Sequence, residues 1–463
     1  MSGVDRGRLP VPGPDPAFTF PVADKQCLHN GLALATVERA GLPMVSLALV
    51  LPAGSALDPD ALPGLASLTA DMLDEGSGDR SAIQMQEALA RIGAELDTET
   101  GADSVVLSLS LLDRFVPQGL QLLADIVVRP RLGGPDFERV RTLRANRVRQ
   151  LRDVPGVNAE AVFARALYGS HPYGHLSFGS SAALAAMGEG DVSAFHGRQY
   201  HPSRATLIAV GALDSAAFAR QAEDAFGSWQ PGSSAPMAPA ESAGAADVGL
   251  AGAIRAPRLL LVDRPGAAQS ELRVGHVGAA RSTPDFHALV LLNAVLGGHF
   301  SSRLNLNLRE RKGYTYGVRS LFDFRKAAGP FAVQTSVQTD ATADAVAEIL
   351  AELRDIGGSR PAVEDERSLS VSTLTKGYPR NFETAGQVAG GLAQLAIYDL
   401  PDDTFDLFAP RIRALTTDDV TRAAGRYLHP DRAVVVAVGD CARIRCALEN
   451  AGLGEAAVVA AGL

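Results

Sequence analysis

The sequence predicts an α+β protein made of two homologous halves. A segment that begins at Arg198 recurs in diverged form at Arg426, and the matching His-Pro pairs lie 228 positions apart, close to half of the 463-residue chain. The stretch 230–253, between the two copies, is rich in Pro, Ala, Ser and Gly and has no periodicity, which predicts a linker. A repeat of this length indicates that a whole domain was duplicated.

The repeated segments share one local pattern: the end of a helix, a His-Pro turn and a buried strand. The strand sequences are ATLIAVG at 205–211 and AVVVAVG at 433–439, two aliphatic runs that end in glycine. Earlier elements recur in the same order. The strand at 45–55 and the helix from Leu65 correspond to the strand at 271–280 and the helix from Phe286. The strand at 104–111 and its following helix correspond to the strand at 329–337 and its helix. Each half then has a helix with an acidic first turn, near Pro135 and near Pro361.

These boundaries divide the chain into four segments. They are a Pro-rich arm at 1–20, an N-terminal half at 21–229, the linker at 230–253 and a C-terminal half at 254–463. Two similar lobes joined by a linker permit a clamshell, and we expect the functional site in the cavity between them.

Composition disfavours two classes of partner. The balance of 43 Lys and Arg against 52 Asp and Glu gives a net charge of −9, which disfavours binding to nucleic acid or to anionic membranes. No apolar run approaches the roughly 20 residues of a membrane span, and the first residues lack the apolar core of a signal peptide. We therefore expect a cytoplasmic protein, or a periplasmic one if residues upstream of this sequence are missing.

The histidines do not form a recognisable metal motif. Only His171 and His175 have the i, i+4 spacing of zinc peptidases, and the intervening Pro-Tyr-Gly precludes a regular helical turn. We interpret this segment as a turn that packs Tyr173. A nucleophile elbow, a P-loop and a C-x-x-C pair are also missing from the sequence.

Four sequence blocks together resemble the pitrilysin/insulinase family of inverted zinc metallopeptidases. They are LVLPAGSALDPDALPGLASLTADMLDEGS at 49–77, HPYG at 171–174, YHPSRATLIAVG at 200–211 and LGGHFSSRLNLNLRERKGYTYGV at 296–318. The resemblance extends over nearly the whole chain from about Phe18. It implies that each half is a mostly antiparallel sheet covered by helices.

The resemblance also locates the zinc site of the family, and this sequence departs from it. Members bind zinc through two His of H-x-x-E-H on the first long helix, with the Glu as general base and a further Glu about 75 residues later. Here the His positions fall on Ser67 and Asp71, and the Glu position falls on Ala70. The later ligand falls within Thr142–Arg147, which contains no carboxylate. The resemblance therefore implies a degenerate zinc site and no catalytic residue or metal in this chain alone.

The second half retains a different feature of the family. Members carry an Arg and, seven residues later, a Tyr that reach the substrate backbone opposite the zinc, and LRERKGYTY supplies these as Arg309 and Tyr316. A guanidinium and a phenol can hydrogen-bond peptide carbonyls and stabilise the charge of a tetrahedral intermediate. The alternative is that Arg309 is a solvated helix residue and that Tyr316 packs on the core.

Two functions remain open. The first is a non-catalytic, substrate-binding subunit of a heterodimeric zinc metallopeptidase, inactive alone, whose homologous partner supplies zinc and the general base and whose substrate is an extended peptide. The second is a structural or binding protein of the same fold with no role in proteolysis. If Arg309 and Tyr316 point into the cavity between the lobes, the peptidase-subunit function is favoured. If either is buried in a lobe core, the structural function is favoured. A self-sufficient peptidase with unconventional ligands is a minor alternative.

Overall fold

The computed structural model describes residues 18–230 and 258–461. It contains one six-stranded mixed sheet in each half, and helices pack on both sheets. The predicted arm up to residue 17 and the predicted linker from residue 231 onward lie outside the described residues. No helix in the described ranges is both long and apolar enough to cross a membrane.

The N-terminal sheet has the strand order β1-β2-β8-β3-β7-β6, and β4 and β5 form a separate two-stranded ribbon. The strands are β1 Asp24–Cys27, β2 Ala33–Glu38, β3 Met44–Leu51, β4 Gly76–Ser77, β5 Arg80–Ser81, β6 Glu95–Thr100, β7 Val105–Leu112 and β8 Thr206–Gly211. The helices are α1 Leu65–Asp71, α2 Ala82–Arg91, α3 Val116–Val128, α4 Gly134–Leu151, α5 Pro155–Tyr168, α6 Ser181–Ala186, α7 Glu189–Gln199 and α8 Ser215–Phe226.

The C-terminal sheet has the order β11-β12-β10-β13-β9-β14. Its strands are β9 Leu259–Asp263, β10 Gln269–Val277, β11 Val318–Phe322, β12 Pro330–Gln338, β13 Val434–Gly439 and β14 Ala456–Val458. The α-helices are α9 Phe286–Asn293, α10 Thr342–Asp355, α11 Glu364–Lys376, α12 Ala385–Tyr398, α13 Phe408–Ala414, α14 Thr417–Tyr427 and α15 Cys441–Leu448. Three π-helical segments accompany them, π1 Ala294–Gly298, π2 Asn305–Arg311 and π3 Glu449–Leu453.

The two sheets confirm the predicted repeat and show where it ends. Five strands correspond in order and direction, with the antiparallel pair β3/β8 and the parallel pair β8/β2 matched by β10/β13 and β13/β9. The sixth strands differ. Strand β1 pairs antiparallel with β2, to which a hairpin connects it, whereas β14 lies near the end of the chain and pairs parallel with β9. The helices predicted to begin at Leu65 and Phe286 begin at those residues.

Each half covers the sheet of the other half with one helix. The apolar face of α12 packs on Ala48, Val50 and Ile208 of the N-terminal sheet. In return, α5 places Phe163 against Val436 and neighbouring side chains of the C-terminal sheet. The two halves are therefore interlocked by helix exchange as well as joined in sequence.

The predicted HPYGH turn is confirmed and ties the halves together. Pro172–Gly174 is a single 3₁₀ turn with Tyr173 buried against the C-terminal half. The Tyr173 hydroxyl donates to Asp103 Oδ1 at 2.6 Å and accepts from the backbone N–H of Ala327 at 3.2 Å. The other oxygen of Asp103 accepts from the N–H of Lys326 at 2.9 Å.

Candidate functional site

The two segments that the resemblance assigns to zinc ligands lie side by side, joined by an ion pair. The Asp71 carboxylate at the end of α1 accepts a hydrogen bond from Arg144 Nε of α4 at 2.7 Å, and Arg144 Nη2 contacts the same oxygen. Arg144 Nη2 also lies 3.4 Å from the backbone oxygen of Ser67. Ser67 and Ala70 are buried beside this pair. The stretch 142–147 therefore lies against α1, as the resemblance implies, but its contact with α1 is made by the guanidinium of Arg144.

These residues do not fit a zinc ion. Zinc sites in proteins use three or four Cys, His or carboxylate ligands, and this position offers one carboxylate that a guanidinium already neutralises. A metal here would also lie beside the positive charge of Arg144. In the described ranges, no cluster of three or more His, Cys, Asp or Glu side chains is arranged to hold a metal.

The position of α1 is fixed by Asp58, a residue that sequence analysis did not identify. Its two carboxylate oxygens accept from the N–H groups of Gly64 at 2.6 Å and Ala66 at 2.7 Å, which caps the start of the helix. Burial raises the pKa of Asp58 to about 7, although both hydrogen bonds and the charge of Arg144 oppose the shift. An acidic residue shortly before a helix start was the signal that could have identified it.

Gly64 is required at this helix start by geometry. Its φ of +98° lies in the left-handed region, and a Cβ at this position would meet Gly179 Cα at 2.7 Å. The loop that contains Gly179 therefore approaches α1 backbone to backbone.

An open sheet edge lies beside the Asp71–Arg144 pair. Strand β6 is the outer strand of the N-terminal sheet and pairs with β7 on one side. Leu96, Asp97 and Thr98 of β6 line a cavity of about 470 Å³ together with Asp71 and Arg144. An edge strand next to a cavity can accept an extended peptide as an additional strand.

Arg309 lies on π2, in the block that carries the family resemblance. Its side chain is 35% exposed, and its Nε lies 3.4 Å from Glu310 Oε1. The guanidinium carbon lies 4.2 Å from the centre of the Phe300 ring, which is itself 61% exposed. Stacking of this kind orients a guanidinium while leaving its N–H groups available. π-Helical turns often occur at functional sites.

Tyr316 lies on the loop between π2 and β11 and is 92% exposed. Its hydroxyl has no hydrogen-bond partner among the residues that the structure describes. The loop is nevertheless held firmly, because the Asn305 side chain donates to the carbonyl of Val318 at 2.7 Å and accepts from its N–H at 3.2 Å. Thr335 Oγ1, on the neighbouring strand β12, also donates to a carbonyl of this loop, that of Gly317, at 2.9 Å.

Arg309 is a partly solvated residue of a helical segment, as the alternative predicted, whereas Tyr316 does not pack on the core. Both avoid the lobe core, and neither lines the cavity of about 890 Å³ that lies between the two halves. Strand β11 reaches this cavity at Leu321, five residue steps after Tyr316, and mostly extended chain of this length spans roughly 17 Å. Tyr316 is therefore exposed to solvent, and Arg309 is partly exposed.

Comparisons with known proteins identify similar chains over both halves. The family model described as "Insulinase (Peptidase family M16)" matches residues 34–172, and the model "Peptidase M16 inactive domain" matches residues 188–365. The second match fits a non-catalytic protein of pitrilysin-like fold. An uncharacterized zinc protease of Mycobacterium bovis is 28% identical over 319 residues, which cover 69% of this chain and 71% of the relative.

Two further similarities concern a processing peptidase and a solved structure. The mitochondrial-processing peptidase subunit beta of Mus musculus is 26% identical over 214 residues, which cover 46% of this chain and 43% of the relative. The crystal structure of a peptidase M16 inactive domain from Pseudomonas fluorescens superposes with a TM-score of 0.80 at 25% identity, and the superposition covers 90% of this chain and 97% of that one.

Proposed function

The chain belongs to the insulinase family of peptidases, family M16, and within this family we propose that it is a non-catalytic, substrate-binding subunit of a heterodimeric zinc metallopeptidase. In this proposal a homologous partner supplies the zinc ion and the general base. This chain supplies Arg309 and Tyr316, and it binds no zinc itself. The name of the mouse relative, a processing-peptidase subunit, supports a shared assembly.

The observation that carries the proposal is the exposure of Tyr316 on a rigid frame. An aromatic side chain that is 92% exposed gains nothing from the core of its own chain, and its loop is held by buried hydrogen bonds. Such a side chain is positioned to contact another molecule. Arg309, stacked on Phe300, presents its donors from the same block.

The peptide would bind along β11. This strand is the outer strand of the C-terminal sheet and begins two residues after Tyr316, so a peptide paired with its edge passes close to the phenol. Backbone pairing gives loose sequence specificity, because main-chain groups supply most of the hydrogen bonds. The guanidinium and the phenol would then donate to the carbonyl of the scissile bond, where negative charge develops.

The alternative is a structural or binding protein of the same fold with no role in proteolysis. The Asp71–Arg144 pair supports it, since this contact joins α1 to α4 without any metal.

A reconstitution experiment separates the two functions. The chain is mixed with a homologue from the same source that carries an intact H-x-x-E-H motif, and cleavage of a quenched fluorescent peptide library is followed. We expect neither chain alone to cleave at an appreciable rate, stable co-elution of the two chains, and cleavage by the mixture that a chelator abolishes. Co-elution without cleavage would favour the structural role, and zinc-dependent cleavage by this chain alone would contradict both functions.

A further inference from the structure

Eight of the 24 described residues that line the cavity between the two halves are aromatic, and all eight come from the C-terminal half. The cavity measures about 890 Å³ and lies between β7 of the N-terminal sheet and the segment that includes α12. Tyr378 and Phe408 stack on one wall with their ring centres 4.3 Å apart, and Phe286 packs on Phe324 at 4.9 Å. This volume is in the range of small-molecule sites, which are typically apolar with a few polar groups.

One cation, Arg281, lines this cavity without a carboxylate partner. Its guanidinium carbon lies 3.6 Å from the centre of the Phe286 ring. The structure gives its side chain no ion pair and no hydrogen bond with any residue in 18–230 or 258–461. Burial lowers the pKa of Arg281 below its usual range, and only the phenols of Tyr398 and Tyr378 oppose the shift.

Two arginines that are more deeply buried than Arg281 have carboxylate partners. Arg273 donates to Glu271 at 2.6 Å and to Glu160 at 3.0 Å, and Arg303 binds Glu366 through two nitrogens. Desolvating a guanidinium without such a partner is costly. Arg281 lines a cavity without such a partner, so a carboxylate from outside the chain would complete the site.

We propose that this cavity binds an amphipathic monocarboxylate, with the carboxylate on Arg281 and the apolar body against the aromatic walls. The guanidinium fork matches a carboxylate, and the aromatic walls remove the apolar body from water. A dianion such as a phosphate monoester fits poorly, because Arg281 is the only cation among the described residues that line the cavity, whereas Glu99 adds negative charge to its walls. This site does not depend on the proposed role of Arg309 and Tyr316.

The test compares octanoate with 1-octanol by isothermal titration calorimetry on the full chain. These probes share their apolar body and differ in the headgroup. We expect octanoate to bind saturably at one site per chain, at least tenfold more tightly than octanol. Equal affinities, or the absence of saturable octanoate binding, would overturn the proposal.

Three variants locate the site. Arg281→Gln removes the charge and is expected to abolish the preference for octanoate while octanol binding persists. Gly390→Leu fills the cavity from α12, where a Cβ meets no atom within 4 Å, and is expected to weaken both probes. Arg114→Gln is the control, since Arg114 stacks on Phe115 at 4.9 Å outside this cavity, and it is expected to change neither affinity. Thermal melts followed by circular dichroism verify folding, and unchanged octanoate binding in folded Arg281→Gln or Gly390→Leu would contradict the assignment.

Discussion

Arg144 Nε donates to the Asp71 carboxylate at 2.7 Å, so a guanidinium from α4 binds the residue at one of the two positions that the family uses for zinc-binding histidines. The contact neutralises the remaining carboxylate of α1 and also reaches the backbone of Ser67. A cross-link between α1 and α4 is thus preserved, with an ion pair in place of coordination bonds.

Removing Arg144 is expected to destabilise this junction. Its side chain is largely buried while Asp71 is partly exposed, so we expect Arg144→Met to lower the free energy of unfolding by about 1–2 kcal/mol and Asp71→Asn by about 0.5–1 kcal/mol. Urea denaturation of both variants and the double variant gives their coupling, which we expect to be about 0.5–1 kcal/mol. Arg149→Met, at an exposed position of α4 outside the cavity that Asp71 and Arg144 line, is the control, and additive effects of the Arg144 and Asp71 substitutions would show that the pair contributes nothing.

Substitution of the exposed pair is expected to slow the reconstituted peptidase without separating its subunits. Loss of one donor to a developing oxyanion typically costs about 10²- to 10³-fold in kcat, so we expect Arg309→Ala and Tyr316→Phe each to lower kcat by about 100-fold or more. Initial rates and analytical size exclusion measure activity and association. Arg311→Ala and Tyr314→Phe are matched controls in the same block, and wild-type rates in both Arg309→Ala and Tyr316→Phe would refute the proposed role.

Asp58 is expected to make stability depend on pH. Burial raises its pKa to about 7, whereas the unfolded chain returns it to near 4. Between these values the folded protein retains a proton at Asp58 that the unfolded chain releases, so the contribution of Asp58 to the free energy of unfolding falls as the pH rises from about 4 to 7. The effect is at most of order 4 kcal/mol across this window. Histidines whose pKa is lowered by burial contribute in the opposite sense, among them His175, whose Nε2 lies 3.8 Å from Asp58 Oδ2.

The variant Asp58→Asn removes this titration. In urea denaturation we expect the slope of the unfolding free energy between pH 4 and 7 to become more positive than in the wild type. We also expect lower stability at pH 4, because the amide retains only one acceptor for the two N–H groups. Asp60→Asn, at an exposed neighbouring position, is expected to keep the wild-type slope. A wild-type slope in Asp58→Asn would assign the dependence to other groups.

Two buried tyrosines are expected to respond oppositely to loss of the hydroxyl. Tyr173→Phe removes a donor to Asp103 and leaves the N–H of Ala327 without its acceptor, so we expect a loss of about 2–3 kcal/mol. Tyr200 is also buried, but in the described chain its hydroxyl has no partner, and Tyr200→Phe is expected to be neutral or to stabilise by up to about 1 kcal/mol. Thermal or urea unfolding measures both, and equal losses would contradict this account.

The sequence predicted what local patterns determine and missed what depends on contacts between distant segments. The helix starts at Leu65 and Phe286 follow from periodicity and from the repeat, and the buried Tyr173 follows from its turn. The exchange of α5 and α12 was not predictable, because the apolar face of a helix does not show which sheet it covers. Likewise, the basic character of α4 was evident, but the choice of Arg144 as the partner of Asp71 depends on how α1 and α4 cross.

Helix exchange also sets the order in which the protein can be completed during synthesis. The N-terminal sheet is finished at Gly211, but α12, which covers Ala48, Val50 and Ile208, ends at Tyr398. At 5–20 residues per second, a ribosome needs roughly 10–40 s to make the intervening chain. During that interval one apolar face of the N-terminal sheet is not covered by α12, so we expect the nascent N-terminal half to bind chaperones. The two halves are expected to reach the native state together.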